Sequence, residues 1–233
     1  MNCQEIIAEL EALTNPEKAL FKAKKYNITA ANTLGIYQSD INDLAKKVGK
    51  NSDLALELYD TDIYEAKLLC AKIFKPKELT IDLMNNWCSE FDNWEICDTF
   101  CMKLFAYFDG IESLIPIWCN NQKEFIRRAG FATIATLCMA NKKAANHYFE
   151  SFYPLFLQHA TDNRVYVKKA ISWAIRNIGK RNIDLHKSVT NFIPELVALN
   201  NSAAMWIVND INKELTADKL RMSDYPRNIY RLN

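Results

Sequence analysis

Glycine and proline are scarce in this chain, which has five glycines and six prolines among its 233 residues. A β-sheet protein needs turns roughly every 8–12 residues and uses these two residues to make them. Strand-like alternation is also lacking, whereas apolar residues recur at helical spacing in segments such as 6–13, 66–73 and 207–215. The sequence therefore excludes a sheet protein and predicts a mostly helical one.

Closely spaced metal ligands are lacking too. The seven cysteines form no CxxC pair, and the three histidines, His147, His159 and His186, are far apart. Zinc sites need closer spacing, so we expect no metal site, and nothing indicates another cofactor. Cys97 and Cys101 lie one helical turn apart, and we interpret them as small buried thiols rather than as a redox pair.

The chain has no excess of charge and no long apolar run. It contains 29 Lys and Arg against 28 Asp and Glu, so any surface for nucleic acid must be a local patch. No apolar run reaches the ~18 residues of a membrane span, and the start lacks a charged segment followed by an apolar one. We therefore expect a cytoplasmic protein, monomeric and without a membrane partner.

Four of the prolines recur at intervals of 40, 38 and 40 residues, at Pro76, Pro116, Pro154 and Pro194. A second helix recurs once in each period, near residues 64, 94, 126, 166 and 203, so the first of them precedes Pro76 and the last follows Pro194. Six residues that favour helix N-caps precede apolar runs: Thr29, Ser39, Asp62, Thr80, Asp92 and Asp162.

Two helices in each period are typical of HEAT-type repeats, in which each pair buries its apolar face only against its neighbours. We therefore predict an all-α fold, a right-handed solenoid of HEAT-like helical repeats (an α-α superhelix). It should form a single domain over residues 1–233, with a C-terminal tail at 218–233. An irregular helical bundle is the alternative.

Trp94 and Asp98 lie four residues apart, and the segment 96–108 contains no acid besides Asp98. One helical turn separates the two residues, so the indole and the carboxylate should point the same way. A carboxylate in so apolar a segment is costly to bury unless it is paired or functional. Together with Arg128 and Trp173 from later helices, the pair predicts a concave-face site for a positively charged or cation-forming substrate.

The helix predicted from Val165 to Arg181 has a buried stripe on one side and a basic face on the other. The stripe consists of Val167, Ala170, Ile171, Ala174 and Ile178, and the basic face of Tyr166, Lys169, Trp173, Arg176 and Lys180. A tryptophan flanked by cations on a solvated face suits contact with nucleic acid. We predict DNA contacts for Lys169, Arg176, Lys180 and Arg181.

Each of these assignments has a structural alternative. A single lysine is more often ordinary solvated surface. Arg128 is as well explained by a structural salt bridge, with Asp98 as one candidate partner. We assign the other tryptophans, Trp87, Trp118 and Trp206, to the core.

Three segments resemble the DNA alkylation repair family of AlkD-like HEAT-repeat glycosylases: FDNWEICD at 91–98, FIRRA at 125–129 and VKKAISWAIR at 167–176. The block at 169–176 is the most specific of them. The resemblance runs from about residue 14 to 180, and the chain after about His186 matches poorly.

The resemblance implies a glycosylase that hydrolyses the N-glycosidic bond of cationic N3- or N7-alkylated purines in double-stranded DNA. Carried over from the family, its catalytic aspartate and preceding tryptophan are Asp98 and Trp94, with Arg128 and Trp173 from later repeats. Arg127 is adjacent, but the motif favours the arginine directly before the alanine. Tyr37 stands where the family has a polar residue that reaches the duplex, which leaves the role of that position open.

The implied chemistry needs no general acid, because an alkylated purine already carries positive charge and leaves readily. Asp98 would stabilise the oxocarbenium-like sugar and position water. An open face would read the lesion from the backbone, without the pocket that base-flipping enzymes use. Two alternatives stay open, a protein-binding scaffold and a non-catalytic module that binds unusual DNA structures.

Overall fold

The computed structural model describes residues 1–231, and within that range it contains helices and their connections but no strand. The last two residues of the predicted domain and tail lie outside the described residues. The chain forms two compact units, Met1–Asp109 and Gly110 onward. No helix between residues 1 and 231 is long and apolar enough to cross a membrane.

The first unit consists of seven α-helices and two short 3₁₀ helices, Pro76–Glu78 and Phe105–Tyr107. Its α-helices are α1 Cys3–Ala12, α2 Pro16–Tyr26, α3 Gln38–Val48, α4 Ser52–Tyr59, α5 Tyr64–Ile73, α6 Ile81–Glu90 and α7 Trp94–Lys103. Helix α5 packs against α3, α4 and α7. The core of this unit is rich in aromatic rings, with the Trp87 ring centroid 5.1 Å from that of Phe100 and 5.4 Å from that of Tyr59.

The second unit begins with a 3₁₀ helix, Ile111–Ser113. Its α-helices are α8 Leu114–Cys119, α9 Glu124–Ala140, α10 Asn146–Glu150, α11 Tyr153–His159, α12 Val165–Gly179, α13 Ile183–Ala198, α14 Ser202–Leu215 and α15 Arg227–Tyr230. Helix α9 packs against α8 and α12, and α12 in turn packs against α13 and α14. Gly130 permits the contact of α9 with α8, since a Cβ there would lie 2.6 Å from the Cys119 Sγ atom.

The predicted repeat is confirmed at the level of its helices. The second helices begin at residues 64, 94, 124, 165 and 202, each within two residues of the predicted start. Pro116, Pro154 and Pro194 lie in α8, α11 and α13, which precede the second helices α9, α12 and α14. The buried stripe of α12 is also confirmed, since all five of its residues are fully buried.

The predicted caps were mostly wrong. Only Thr80 caps a helix with its side chain, accepting a hydrogen bond from the Leu83 N–H at 3.2 Å. Among residues 1–231, asparagine side chains cap every other helix start that has a side-chain cap: Asn2, Asn15, Asn51, Asn93, Asn182 and Asn201. Asparagine is as good an N-cap as aspartate, and its carboxamide oxygen is the acceptor in each case.

The core assignments hold with one exception. Trp87 and Trp118 are buried, as are Cys97 and Cys101, so the interpretation of these two thiols as buried is confirmed. Trp206 is half-exposed, with the Lys168 ammonium 5.2 Å from its ring, so its assignment to the core was wrong. The cation lies on the neighbouring helix α12, which a pattern confined to α14 does not show.

The predicted C-terminal tail is anchored on the second unit. The Ser223 and Tyr225 N–H groups donate to the carbonyls of Lys180 and Arg181, at 2.9 and 3.0 Å. Asn182 Nδ2 donates to the Tyr225 carbonyl at 2.7 Å, and Tyr225 is buried. The segment up to residue 231 therefore belongs to the packed structure of this unit.

Candidate nucleic-acid interface

The side chain of Trp94 is fixed at the start of α7. The Asn93 Oδ1 atom accepts hydrogen bonds from the N–H groups of Glu95 and Ile96, at 2.9 and 3.2 Å, which makes Trp94 the first helical residue. The indole Nε1–H donates to the Tyr26 carbonyl at 2.9 Å, and the Tyr26 ring lies edge-to-face at 6.4 Å. The half-exposed indole is thus held by α2 as well as by its own helix.

Asp98 lies one turn after Trp94 on α7 and is half-buried. Cys97, Phe100 and Cys101 around it are fully buried, so the core side of the helix is apolar. The i, i+4 spacing places the carboxylate and the indole on one side of the helix, as predicted. This pair combines an aromatic face with a carboxylate, which suits a ligand that carries or develops positive charge.

A buried ion pair lines the same cavity as Trp94. The Lys22 ammonium is 2.7 Å from Glu95 Oε2, and the two side chains are 7% and 10% exposed. Glu95 also accepts from Tyr64 Oη at 3.0 Å and from Gln38 Nε2 at 3.1 Å. Burial, and then the charge of Glu95, raise the pKa of Tyr64, so its hydroxyl remains a donor. These bonds join α2, α3 and α5 to the first turn of α7.

A second buried carboxylate shapes the segment that leads to Tyr37. Glu65 is fully buried and accepts hydrogen bonds from the hydroxyl of Thr33 and the N–H groups of Leu34, Gly35 and Ile36, at 2.8 to 3.3 Å. Gly35 adopts φ +72°, and a Cβ at this position would lie 2.1 Å from the Asn15 carbonyl oxygen. The segment is therefore tightly defined, and it presents Tyr37 with 49% of its surface exposed.

Helix α2 carries a surface that the sequence analysis missed. The Lys18 ammonium lies 4.9 Å from the Phe21 ring and 4.2 Å from the Tyr37 ring. The Lys25 ammonium lies 5.0 Å from Phe21 and 5.5 Å from Tyr26. The spacing of residues 18, 21 and 25 is helical and could have revealed this surface. Alternating cations and exposed rings suit a nucleic-acid strand. We call these five residues the α2 surface.

Lys72 on α5 is a half-buried lysine of the first unit. Its ammonium donates to Asn42 Oδ1 at 2.8 Å. Burial, and then the nearby charge of Lys103, lower the pKa of Lys72 to about 8. The protonated form is therefore less favourable in the folded protein than in the unfolded chain, where Lys72 has an ordinary pKa.

This shift predicts a pH-dependent effect of Lys72→Met. Between pH 8 and the ordinary lysine pKa the unfolded chain binds more protons at residue 72, so this group makes the wild type more stable as pH rises. The variant lacks that gain. Relative to the wild type, Lys72→Met should therefore be more stable, with a higher free energy of unfolding, at pH 7 than at pH 10. Urea unfolding at both pH values measures the difference, and an unchanged difference would contradict the shift.

In the second unit, the two neighbouring arginines of α9 have different partners. Arg127 Nη1 contacts Asp162 Oδ2 at 2.7 Å, and Arg164 contacts the same carboxylate. Although burial alone would raise it, hydrogen bonds from Arg164 and Arg127 lower the pKa of Asp162 to about 2. Arg128 is 6% exposed, and its Nη1 donates to the Tyr166 carbonyl at 2.6 Å. Arg127 therefore belongs to a structural network, and Arg128 reaches the start of α12.

Two cations of the predicted basic face of α12 are paired with acidic side chains of α14. Trp173 is half-exposed and Lys169 is exposed. Arg176 and Lys180 both contact Glu214 of α14, and Arg176 Nε also lies 3.4 Å from Asp210. These acids offset the two cations locally, so their role as phosphate contacts stays a prediction.

The prediction that Arg181 contacts DNA is wrong. Arg181 is fully buried, and its Nη atoms donate to the carbonyls of Cys138, Asn141 and Ala144, at 2.5 to 3.0 Å. The centre of its guanidinium lies 4.3 Å above the Phe149 ring. Arg181 comes after the end of α12, so a helical pattern extended through it assigns the wrong side.

The predicted site residues thus fall into two groups. The first unit brings Trp94 and Asp98 together on α7, and Tyr37 lines a cavity with Trp94. The second unit carries Arg128 and Trp173 on the packed helices α9 and α12. Their assembly into a common site stays a prediction from the sequence. Within residues 1–231, no group of three or more His, Cys, Asp or Glu side chains is arranged to hold a metal ion.

Comparison with solved structures identifies the fold. One similar structure represents a new family of proteins that is related to the HEAT-like repeat DNA glycosylases and has affinity for branched DNA structures. It matches with a TM-score of 0.75 and 19% identity, and the match covers 95% of this chain and 97% of the other. A second, smu.31 from Streptococcus mutans UA159, has a TM-score of 0.52, 15% identity and coverage of 91% and 98%. The fold is accordingly that of the HEAT-like repeat class.

The family follows from the sequence. The model of the DNA alkylation repair enzyme family matches residues 6–205, and this chain belongs to that family. A search of curated proteins gave no significant match. Membership of this family supports a role in DNA repair or DNA binding.

Proposed function

We propose that the protein is a DNA glycosylase that hydrolyses the N-glycosidic bond of cationic N3- or N7-alkylated purines in duplex DNA. The observation that carries the proposal is the pair on α7, a half-buried Asp98 one turn after the fixed indole of Trp94. A module that only binds DNA has no need of a carboxylate at this position, because the negative charge of a carboxylate repels phosphates. A glycosylase needs one, because positive charge develops on the sugar as the bond breaks.

The chemistry requires little from the protein beyond this carboxylate. An alkylated purine is already cationic, so it leaves without protonation by a general acid. A carboxylate about 4 Å from the developing charge, at an effective dielectric near 20, contributes on the order of 4 kcal/mol. That energy corresponds to roughly three decades of rate. In addition to this electrostatic role, Asp98 is proposed to orient the attacking water.

Trp94 would act on the substrate through its ring face. Its Nε1–H bond to the Tyr26 carbonyl fixes the indole before any ligand arrives. An indole face contributes roughly 0.5–2 kcal/mol to holding a cation. Because the ring is already ordered, little of that energy is spent on ordering it. We propose the same role for Trp173, with Lys169 as a phosphate contact. Arg128 is buried and donates to the Tyr166 carbonyl, so we propose that its guanidinium turns to a phosphate only when DNA binds.

The experiment that tests the proposal is release of free base from a duplex that carries a single N7-methylguanine or N3-methyladenine. We expect release of the methylated base and none from the same duplex without the lesion. A four-way junction and the lesion duplex should be compared for binding in parallel. Tight binding of DNA without release of base would contradict glycosylase activity.

Binding without release of base corresponds to the second candidate function, a module that binds branched DNA without excision. The solved structure with a TM-score of 0.75 represents a family with affinity for branched DNA, and this supports the second candidate. The α2 surface also suits binding without chemistry, since it combines cations with exposed rings. A preference for the four-way junction over the lesion duplex, with no released base, would favour this candidate.

The salt dependence of DNA binding tests the role of Lys169. Its side chain is exposed on α12 beside Trp173. If Lys169 contacts a phosphate, Lys169→Gln should flatten the slope of log K against log salt concentration by about one unit. Lys187 is an exposed lysine of α13 in the same unit, and Lys187→Gln provides the matched control. Equal slopes for the wild type and Lys169→Gln would remove Lys169 from the interface.

A further inference from the structure

A cavity opens beside Trp94 within the first unit, between α2, the segment 28–39 and the start of α7. Its volume is about 310 Å³, and it lies at the lower end of the roughly 300–1,000 Å³ that is typical of ligand sites. Such a space suits one nucleoside-sized group, and a base pair is too large for it. The cavity differs from the open face, without an enclosing pocket, that the sequence predicts.

The walls of the cavity suit a flat ring. Three aromatic side chains line it, and two of them, Tyr26 and Tyr37, are 43% and 49% exposed. The third, Trp94, is held in place by its hydrogen bond to Tyr26. Ile28 and Ile36 are 3% and 1% exposed and supply an apolar lining. Aromatic and apolar side chains of this kind hold a nucleobase that has left its stack.

The polar groups of the cavity have unused donor capacity. Lys22 and Gln38 both line it together with Glu95. Glu95 is satisfied by Lys22, Gln38 and Tyr64. The Lys22 ammonium pairs with Glu95 at 2.7 Å, and its Nζ atom is fully buried, so it supplies positive charge near the cavity but no contact with a ligand. The Gln38 amide uses one of its two N–H groups for Glu95, and the second suits a ligand that brings an acceptor.

We propose that this cavity binds a single nucleobase that has left the stack of a DNA strand, with a ring carbonyl of the base accepting from the Gln38 amide. Guanine, cytosine and thymine carry such a carbonyl, and adenine does not. Lys18 lines the cavity as well, and its positive charge suits the phosphate of the same nucleotide. The inference rests on the proposed DNA-binding role, and it adds a base-recognition site to it.

Duplexes with a single unpaired nucleotide test the proposal. A bulged thymine is uncharged and is not a substrate for excision, and a bulged abasic nucleotide gives a matched duplex without the base. The wild type should bind the thymine bulge roughly tenfold more tightly than the abasic bulge, because stacking on aromatic side chains is gained only with a base. Equal affinities would overturn the proposal and leave the cavity as a packing void.

Variants locate the effect. Tyr37→Ala should bring the ratio of the two affinities close to one. Tyr107→Ala removes a tyrosine that is 55% exposed in the same unit but outside the cavity, and it should keep the ratio of the wild type. A Tyr37→Ala protein that retains the full ratio would place base recognition elsewhere and contradict the assignment.

Cross-linking provides a direct readout on the wild-type protein. A 5-iodouracil placed at the bulge forms a bond to nearby aromatic residues on irradiation, and peptide mass spectrometry should find it on Tyr26, Tyr37 or Trp94. Cross-links confined to other aromatic residues would overturn the proposal. Competition by free thymidine that abolishes the preference at micromolar concentration would show a free nucleoside as the ligand, which contradicts a DNA-strand site.

Excision of N7-methylguanine, measured on the same preparation, separates this inference from the proposed function. Excision without a preference for the thymine bulge removes the base-binding cavity and retains the glycosylase. A preference without excision retains the cavity and removes the glycosylase.

Discussion

Asp98→Asn is expected to abolish most excision while it leaves duplex binding nearly intact. Asparagine keeps the size of the side chain and much of its hydrogen bonding but removes its charge. The charge matters mainly when the sugar becomes cationic, so its loss should raise the barrier without weakening the ground-state complex. The single-turnover rate of base release should fall by roughly two to three decades.

Two comparisons make this prediction specific. Asp109→Asn neutralises an exposed acid at the end of the same unit, and it should excise at the wild-type rate. Arg128→Ala should weaken DNA binding together with the rate, because the proposed role of Arg128 is contact with phosphate. The stability of Asp98→Asn should not fall in step with its rate, because asparagine keeps the size and much of the hydrogen bonding of the side chain. Wild-type excision by Asp98→Asn would make Asp98 a structural residue and favour the branched-DNA module.

The sequence predicted the helical repeat well because the relevant signals are local. Apolar spacing and the recurring prolines depend on a few neighbouring residues, and they located the second helices to within two residues. The sequence also predicted that a helix begins near Trp94 and that Asp98 lies one turn later, because both depend on local spacing. Apolar periodicity also predicted which side of α12 is buried.

What the sequence could not predict depends on contacts between helices. The pattern of α12 showed Arg176 and Lys180 on a solvated face, but it could not show that Asp210 and Glu214 of α14 lie against them. The same limit applies to the cavity beside Trp94, whose lining comes from three separate parts of the chain.

The buried Lys22 is the clearest case. In the sequence it is one of four lysines between residues 18 and 25, and such a run favours a solvated face. Its burial results from the partner Glu95, which lies more than 70 residues later in the chain. No pattern local to α2 distinguishes Lys22 from the exposed Lys24 and Lys25.

Arg181→Met should strongly destabilise the second unit, in contrast to the surface role that the sequence suggested. The guanidinium donates to three backbone carbonyls, of Cys138, Asn141 and Ala144, that follow one another around the end of α9. Methionine fills much of the space but leaves those carbonyls without their donor. We expect a loss of about 3 kcal/mol or more in the free energy of unfolding, measured by urea denaturation.

The neighbouring residue provides the control for this prediction. Lys180 contacts Glu214 near the surface, and Lys180→Met should cost less than about 1 kcal/mol, because a partly solvated ion pair contributes little. Arg181→Lys should be intermediate, since a single ammonium cannot reach carbonyls that the planar fork of arginine spans. At temperatures where Arg181→Met is folded, its DNA binding should keep the salt dependence of the wild type. A variant with wild-type stability and a flatter salt dependence would instead restore Arg181 as a phosphate contact, because only a solvated arginine could be lost at so small a cost.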